Sequence, residues 1–191
     1  MGKLFDEIDS ALEAFIRAQQ MFFVATGPLS ANGHINLSPK GLDTLRILGP
    51  RTLSYLDHVG SGAETIAHLR ENGRIAVMLC AFQGPPRIVR LYGRGEVLEP
   101  QDPEFNQLRA LFPAQPAGRA IIRIFVTRIA DSCGYGVPLY SFEGHRSQLP
   151  DWASRKGPTG LSEYQNEKNR FSIDDLPALR WPERTEAKSD L

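Results

Sequence analysis

The chain has 191 residues, of which 41% are hydrophobic and 23% charged, a composition typical of a globular protein with one substantial core. Its 22 basic and 22 acidic residues cancel, which argues against a nucleic-acid-binding protein, because such proteins are normally basic. No apolar run approaches the roughly 18 residues of a membrane span, the N-terminus is acidic rather than signal-like, and the two cysteines are far apart, so the sequence predicts a cytoplasmic protein with no membrane partner.

The first third of the chain predicts one helix and a set of hairpin-linked strands. Residues 4–20 carry apolar side chains at three- and four-residue steps, which predicts an amphipathic helix. Asn32-Gly33 predicts a hairpin turn, and Pro39 interrupts sheet hydrogen bonding after the returning strand. We expect strands at 21–26, 34–37 and 52–56, and either a strand or an irregular connection at 42–48.

The rest of the chain combines long apolar strands with short helices. Asn72-Gly73 is expected to end a helix, because both residues tolerate the left-handed conformation. We expect helices at 63–70, 103–112 and 161–170, strands at 74–82, 87–98 and 119–129, and an irregular segment at 131–138. About six strands joined mostly by turns predict one mainly β (α+β) domain over residues 1–176, an antiparallel barrel with peripheral helices, followed by a C-terminal tail at 177–191.

One stretch predicts an anion site. The strand at 52–56 runs into the turn 57–62 (DHVGSG), and a helix starts directly after that turn. Backbone N–H groups and the positive end of the helix dipole attract an anion such as phosphate at this position, and Ser61 and Thr65 add hydroxyl donors. The alternative interpretation is a capped helix after a tight turn, with Ser61 as the cap.

The histidines and cysteines form no recognisable metal motif. Neither cysteine belongs to a C-x-x-C pair, and the four histidines lack an H-x-x-x-H spacing, so we expect no metal. His68 falls on the polar side of its helix and is expected at the surface. Cys133, next to Gly134, is either a place where the backbone approaches a ligand or a loop cysteine without a role.

The motifs FFVAT, HINLSPKG, TLSYLDHVGSGAETIAHLRENGRIAVML and PPRIVRLYGRGEV, in this order and spacing, resemble the pyridoxamine 5′-phosphate oxidase-like, FMN-binding split-barrel proteins. The chain is more similar to the oxidase-related branch than to the pyridoxamine phosphate oxidases themselves. The resemblance implies an antiparallel split β-barrel and a homodimer with FMN between its subunits. It also implies an oxidoreductase that acts on a small organic substrate, with the redox chemistry supplied by the cofactor.

The resemblance also implies which residues hold the cofactor. The strand ending at Lys40 is expected to run along the flavin edge, although Lys40 alone could equally be a solvated turn lysine. The strand ending at Asp57 is expected to pass beneath the ring, and the following turn to hold the phosphate. The implied cofactor-binding residues are Ser38, Lys40, Gly41, Tyr55, Asp57, Ser61, Gly62, Thr65, Arg90 and Cys133. No catalytic side chain is implied.

The chain departs from the family pattern at the phosphate turn. Gly62 and Ala63 stand where the vitamin-processing oxidases carry a basic pair, which leaves Lys40, Arg87 and Arg90 as candidate phosphate cations. No match to the substrate-phosphate arginine and histidine of those enzymes is found near the C-terminus, so vitamin B6 phosphate is disfavoured as substrate. A non-enzymatic flavin-binding or flavin-sensing protein, and a barrel that holds haem or a deazaflavin, remain open.

Overall fold

Eight strands form one antiparallel sheet in the computed structural model, which describes residues 2–180. The strands are β1 (Leu4–Phe5), β2 (Phe22–Thr26), β3 (Asn36–Lys40), β4 (Leu45–Gly49), β5 (Thr52–His58), β6 (Arg74–Cys80), β7 (Ile88–Leu98) and β8 (Gly118–Ser132). The helices within the same residues are α1 (Ser10–Ala18), α2 (Glu64–Asn72), α3 (Phe105–Arg109) and α4 (Gln148–Lys168). The sheet order is β3-β2-β6-β7-β8-β5-β4, and β1 pairs with β8. The predicted mainly β, antiparallel split barrel with peripheral helices is confirmed.

The inner face of the sheet is a continuous apolar surface. Val24, Val77, Leu91 and Ile129 are successive cross-strand partners on four neighbouring strands, and each is at most 1% exposed. Because paired residues point to the same face of a sheet, the β-branched and leucine side chains stack into one core. Buried residues of α1 and α2 belong to the same core.

The N-terminal helix begins later than its apolar spacing predicts. Asp9 is the N-cap of α1, and its Oδ1 accepts a hydrogen bond from the Leu12 N–H at 2.8 Å. Capping by Asp9 fixes the start of the helix, and Leu4–Phe5 instead pairs with β8 as a short strand. The prediction of a helix from residue 4 is therefore wrong for the first six residues.

The last helix is longer than predicted. Pro150 lies in the first turn of α4, where a missing N–H removes no helical hydrogen bond. Gly157 adopts a φ of 66°, which kinks α4 and lets Pro158 start its second half. The kink at Gly157 therefore divides α4 into two halves, and neither proline prevents the segment from being helical.

The residues after α4 return to the core. The Ala178 N–H donates to the Arg170 carbonyl at 2.8 Å, and the Leu179 N–H donates to the Asn169 carbonyl at 3.0 Å. Ala178 and Leu179 are 2% and 8% exposed. The rest of the predicted tail, 181–191, lies outside the described residues.

The barrel is open between β3 and the β5–α2 connection, a gap called the split below. β3 ends the sheet order and pairs with β2 on one side only. Its other edge faces the split with backbone groups that no strand of the described residues pairs. Side chains bridge the split at both ends of β3, from Lys40 to Asp57 and from Asn36 to Thr65.

Candidate functional site

A buried ionic cluster joins β3, β5 and β8 at the split. Lys40 Nζ donates to Asp57 Oδ1 at 3.0 Å, and Arg119 Nε donates to Asp57 Oδ2 at 2.8 Å. Asp57 is fully buried and Arg119 is 6% exposed. Two cations thus share one carboxylate, so this ionic cluster holds one uncompensated positive charge.

The protonation states around the ionic cluster follow from burial and from the cations. Burial alone would raise the pKa of Asp57, but Lys40 and Arg119 outweigh it and lower that pKa to about 2. Burial lowers the pKa of the neighbouring His58 to about 4, so its ring is neutral at pH 7. Burial, followed by the Asp57 charge, raises the pKa of Tyr55 well above its ordinary value. The ionic cluster therefore keeps its positive charge across the physiological pH range.

A second polar network crosses the split at the other end of β3. Asn36 Nδ2 donates to Thr65 Oγ1 at 2.9 Å and to Thr26 Oγ1 at 3.1 Å, and Asn36 Oδ1 accepts from the Ser38 hydroxyl at 2.8 Å. Thr26 Oγ1 also lies 2.9 Å from His68 Nδ1. Ser38 and Thr65 are thus brought together, with Asn36 between them. His68 is fully buried, and its predicted surface position is wrong because its ring faces Thr26 rather than solvent.

The start of α2 has no side-chain cap. The N-cap position is held by Ala63, whose methyl group cannot accept a hydrogen bond. Ser61 does not cap α2, and Ser61 is exposed. The alternative interpretation with Ser61 as cap is therefore wrong, and no side chain caps the first N–H groups of α2.

The turn before α2 is held in place by Arg119 and covered on one side by Glu64. Arg119 Nη2 donates to the Gly62 carbonyl at 2.9 Å, so the ionic cluster and the turn are one unit. The carboxylate of Glu64 lies against Gly62, where any Cβ atom would collide with it. Since this carboxylate ends a flexible side chain, an anion that binds at the turn would displace it. Glu64 Oε1 also accepts a hydrogen bond from the Ile173 N–H at 3.3 Å, so a phosphate group at residues 61–65 would require Glu64 to turn away.

Two other predicted residues, Tyr55 and Gly41, lie next to Lys40. Tyr55 is fully buried, with Lys40 Nζ 5.9 Å from the centre of its ring. Gly41 follows Lys40 without a left-handed φ, which instead occurs at Leu42 and Asp43 (61° and 54°). The glycine is therefore not required by the backbone there.

Arg90 and Cys133 are not brought to the split within one chain. Arg90 is the cross-strand partner of Met78, which pairs with Phe23 on the sheet face opposite the core. Arg90 Nη1 donates to Ser132 Oγ at 2.9 Å. Cys133 is a free, exposed cysteine just after β8. Arg87, another candidate phosphate cation, pairs with Asp131 at 3.2 Å.

A cavity of about 830 Å³ opens beside the end of β3. Its wall is formed by the connection between α1 and β2, by residues 39–42, by the turn after β6 and by residues 140–149. Among residues 2–180, no group of three His, Cys, Asp or Glu side chains could hold a metal ion. No helix in that part of the chain is long and apolar enough to cross a membrane.

Known proteins are similar to this chain in sequence and in fold. Residues 8–133 match the profile of the pyridoxamine 5′-phosphate oxidase family. The chain belongs to this family. A pyridoxamine 5′-phosphate oxidase family protein of Aspergillus flavus, ustO, is 36% identical over 196 residues, which cover 94% of this chain and 78% of ustO.

Two solved structures share the fold at low identity. HupZ of Group A Streptococcus superposes with a TM-score of 0.52 and 19% identity, over 71% of this chain and 99% of HupZ. A candidate pyridoxamine 5′-phosphate oxidase of Lactobacillus delbrueckii superposes with a TM-score of 0.51 and 15% identity, over 66% of this chain and 98% of that chain. At these identities the likeness establishes the split barrel alone.

Sequence reasoning missed Arg119 and Asn36. The sequence predicts only that Arg119 starts an alternating strand and that Asn36 lies in a returning strand. One signal was present: Asp57 ends an apolar strand, and a carboxylate buried there requires a cation. The sequence does not show which of the many arginines supplies it, because Arg119 lies 62 residues away.

Proposed function

We propose that this family member binds FMN in the split and is an oxidoreductase for a small organic substrate. The observation that carries the proposal is the uncapped start of α2 next to an ionic cluster with one excess positive charge. Free N–H donors, the helix dipole and a fixed cation together favour an anion such as a flavin phosphate. When bound, FMN supplies the transfer of electrons to or from the substrate.

Different residues of the split would bind different parts of the cofactor. The backbone of residues 61–65 and the Ser61 hydroxyl would bind the phosphate, and Arg119 would hold the turn in place through the Gly62 carbonyl. The free edge of β3 offers backbone donors and acceptors to the polar edge of the ring. Lys40, oriented by Asp57, would place a positive charge near the ring and stabilise its reduced, anionic form.

The proposed functional unit is a homodimer. The outer face of β3 carries Leu37, which is 64% exposed, and Ile35 precedes it at 80% exposed. Leu37 is the cross-strand partner of Ala25, which pairs with Ala76 and through it with Tyr92, so apolar groups continue across four strands. A second copy would bury this surface, and the family resemblance supports a flavin bound between the two subunits.

The absorption spectrum of the purified protein tests the cofactor. Two flavin bands, lost from the protein after acid precipitation and recovered in solution as FMN by chromatography, are the expected result. A colourless protein that also binds no added FMN would overturn the proposal. Anaerobic reduction followed by mixing with organic oxidants then distinguishes an oxidoreductase from a flavin-binding protein without enzyme activity. A flavin that never exchanges electrons with an organic molecule would indicate the flavin-binding protein.

A further inference from the structure

The cavity beside Lys40 has walls of one charge sign only. Its lining includes the cations Lys40 and Arg146, and no aspartate or glutamate. Such a wall attracts anions, because no carboxylate has to be desolvated or repelled when an anion enters.

Lys40 and Arg146, the two cations of this wall, differ in their ion pairs. Lys40 is held by Asp57 at 3.0 Å, a carboxylate that it shares with Arg119. Arg146 is exposed, and it forms no ion pair with any side chain among residues 2–180. One guanidinium thus stays free to pair with a ligand, and a planar guanidinium binds a carboxylate through two parallel hydrogen bonds.

The rest of the wall favours a flat, aromatic ligand. The rings of Phe82 and Tyr140 lie 5.7 Å apart, and the Tyr140 N–H donates to the Phe82 carbonyl at 2.9 Å. The Phe142 ring lies 5.0 Å from that of His145, with an interplanar angle of 66°. Aromatic side chains on one wall with a free guanidinium beside them match a ring that carries one acidic group.

We propose that this cavity binds an aromatic monocarboxylate, held by Arg146 and packed against the aromatic side chains of residues 140–145. A carboxylate fits this guanidinium, since its two oxygens can accept two parallel hydrogen bonds from one planar group. The role of this ligand as substrate rests on the proposed function, because the cavity adjoins the strand expected along the flavin. The binding of the ligand to the cavity does not rest on the proposed function.

Binding of 2-naphthoate to the full chain tests the inference, measured by calorimetry with and without FMN. Neutral 2-naphthamide and 2-naphthyl phosphate serve as matched probes. We expect 2-naphthoate to bind at least about tenfold tighter than the amide, the scale of one charge-assisted pair, and no weaker than the phosphate. Equal binding of the amide would overturn the role of the charge, and tighter binding of the phosphate would overturn the assignment to a carboxylate. Competition between 2-naphthoate and FMN would assign the cavity to the cofactor instead.

Variants then locate the ligand. Arg146→Gln should weaken the binding of 2-naphthoate about tenfold and leave the binding of 2-naphthamide unchanged. Phe142→Ala should weaken the binding of both probes. Both residues are exposed, so the fold is not at risk. Arg155→Gln, an exposed position of α4 away from the cavity wall, is the control and should bind as wild type. Wild-type binding by Arg146→Gln would refute the site. Flavin content, read by absorbance in the same samples, reports separately on the proposed function.

Discussion

Replacement of Asp57 by Asn is expected to destabilise the protein severely while preserving its shape. The carboxylate accepts from Lys40 at 3.0 Å and from Arg119 at 2.8 Å, and it is fully buried. An asparagine keeps one acceptor oxygen but turns an NH₂ group toward the second cation. Arg119, 6% exposed, would then hold a charge without a counterion.

The size of the loss follows from the ion pairs. The pKa of Asp57 is about 2 in the fold against 3.8 for the free side chain, and a shift of this size is worth about 2 kcal/mol. The unpaired arginine adds to this, so the free energy of unfolding should fall by about 3–5 kcal/mol at pH 7. Lys40→Met leaves the Asp57–Arg119 pair intact and should cost only about 1 kcal/mol, because Lys40 is partly solvated.

Urea unfolding of both variants and wild type, across the acid range, is the assay. Because the folded pKa of Asp57 is lowered, its contribution is complete above about pH 4 and is lost as the pH falls through about 2. The difference between wild type and Asp57→Asn should therefore shrink toward pH 2. A loss below 1 kcal/mol at pH 7, or one that does not change with pH, would refute the ionic cluster as described.

Three further changes address the phosphate turn, the sheet and the dimer. Ser61→Ala should weaken FMN binding about tenfold in a fluorescence titration, because one hydrogen bond to the phosphate is lost. It should leave stability unchanged, because the exposed Ser61 hydroxyl caps nothing in α2; unchanged affinity for FMN would remove Ser61 from the site. Gly93→Ala should cost about 1–3 kcal/mol in thermal unfolding, since its Cβ would meet the Phe125 carbonyl, whereas Gly49→Ala meets nothing and should be neutral. Leu37→Arg should give a folded monomer in sedimentation, and a dimer that persists would exclude this face.

The local features of the site follow from the sequence. Gly73 ends α2 with a φ of 69° and donates its N–H to the Leu69 carbonyl at 3.0 Å, as its left-handed tolerance predicts. The turn before α2 is also a local pattern, and so is the apolar alternation of the strands. These predictions need only neighbouring residues, which is why they were correct.

Long-range partners do not follow from the sequence. His68 lies on the polar side of α2 by its spacing, yet it is buried because Thr26 of the distant β2 accepts or donates a hydrogen bond there. The pairing of Lys40 and Asp57 spans the split, and local spacing cannot bring β3 and β5 together. Arg90, expected at the site, points to the opposite face because the register of β7 decides its direction.

Titration of flavin-free protein with FMN and with riboflavin tests the phosphate site most directly, because the two ligands differ only in the phosphate group. Two charge-assisted hydrogen bonds at the start of α2, each worth about 1.5–3 kcal/mol, predict that FMN binds at least about a hundredfold tighter than riboflavin. Equal affinity for the two ligands would contradict the role of the uncapped helix as a phosphate site.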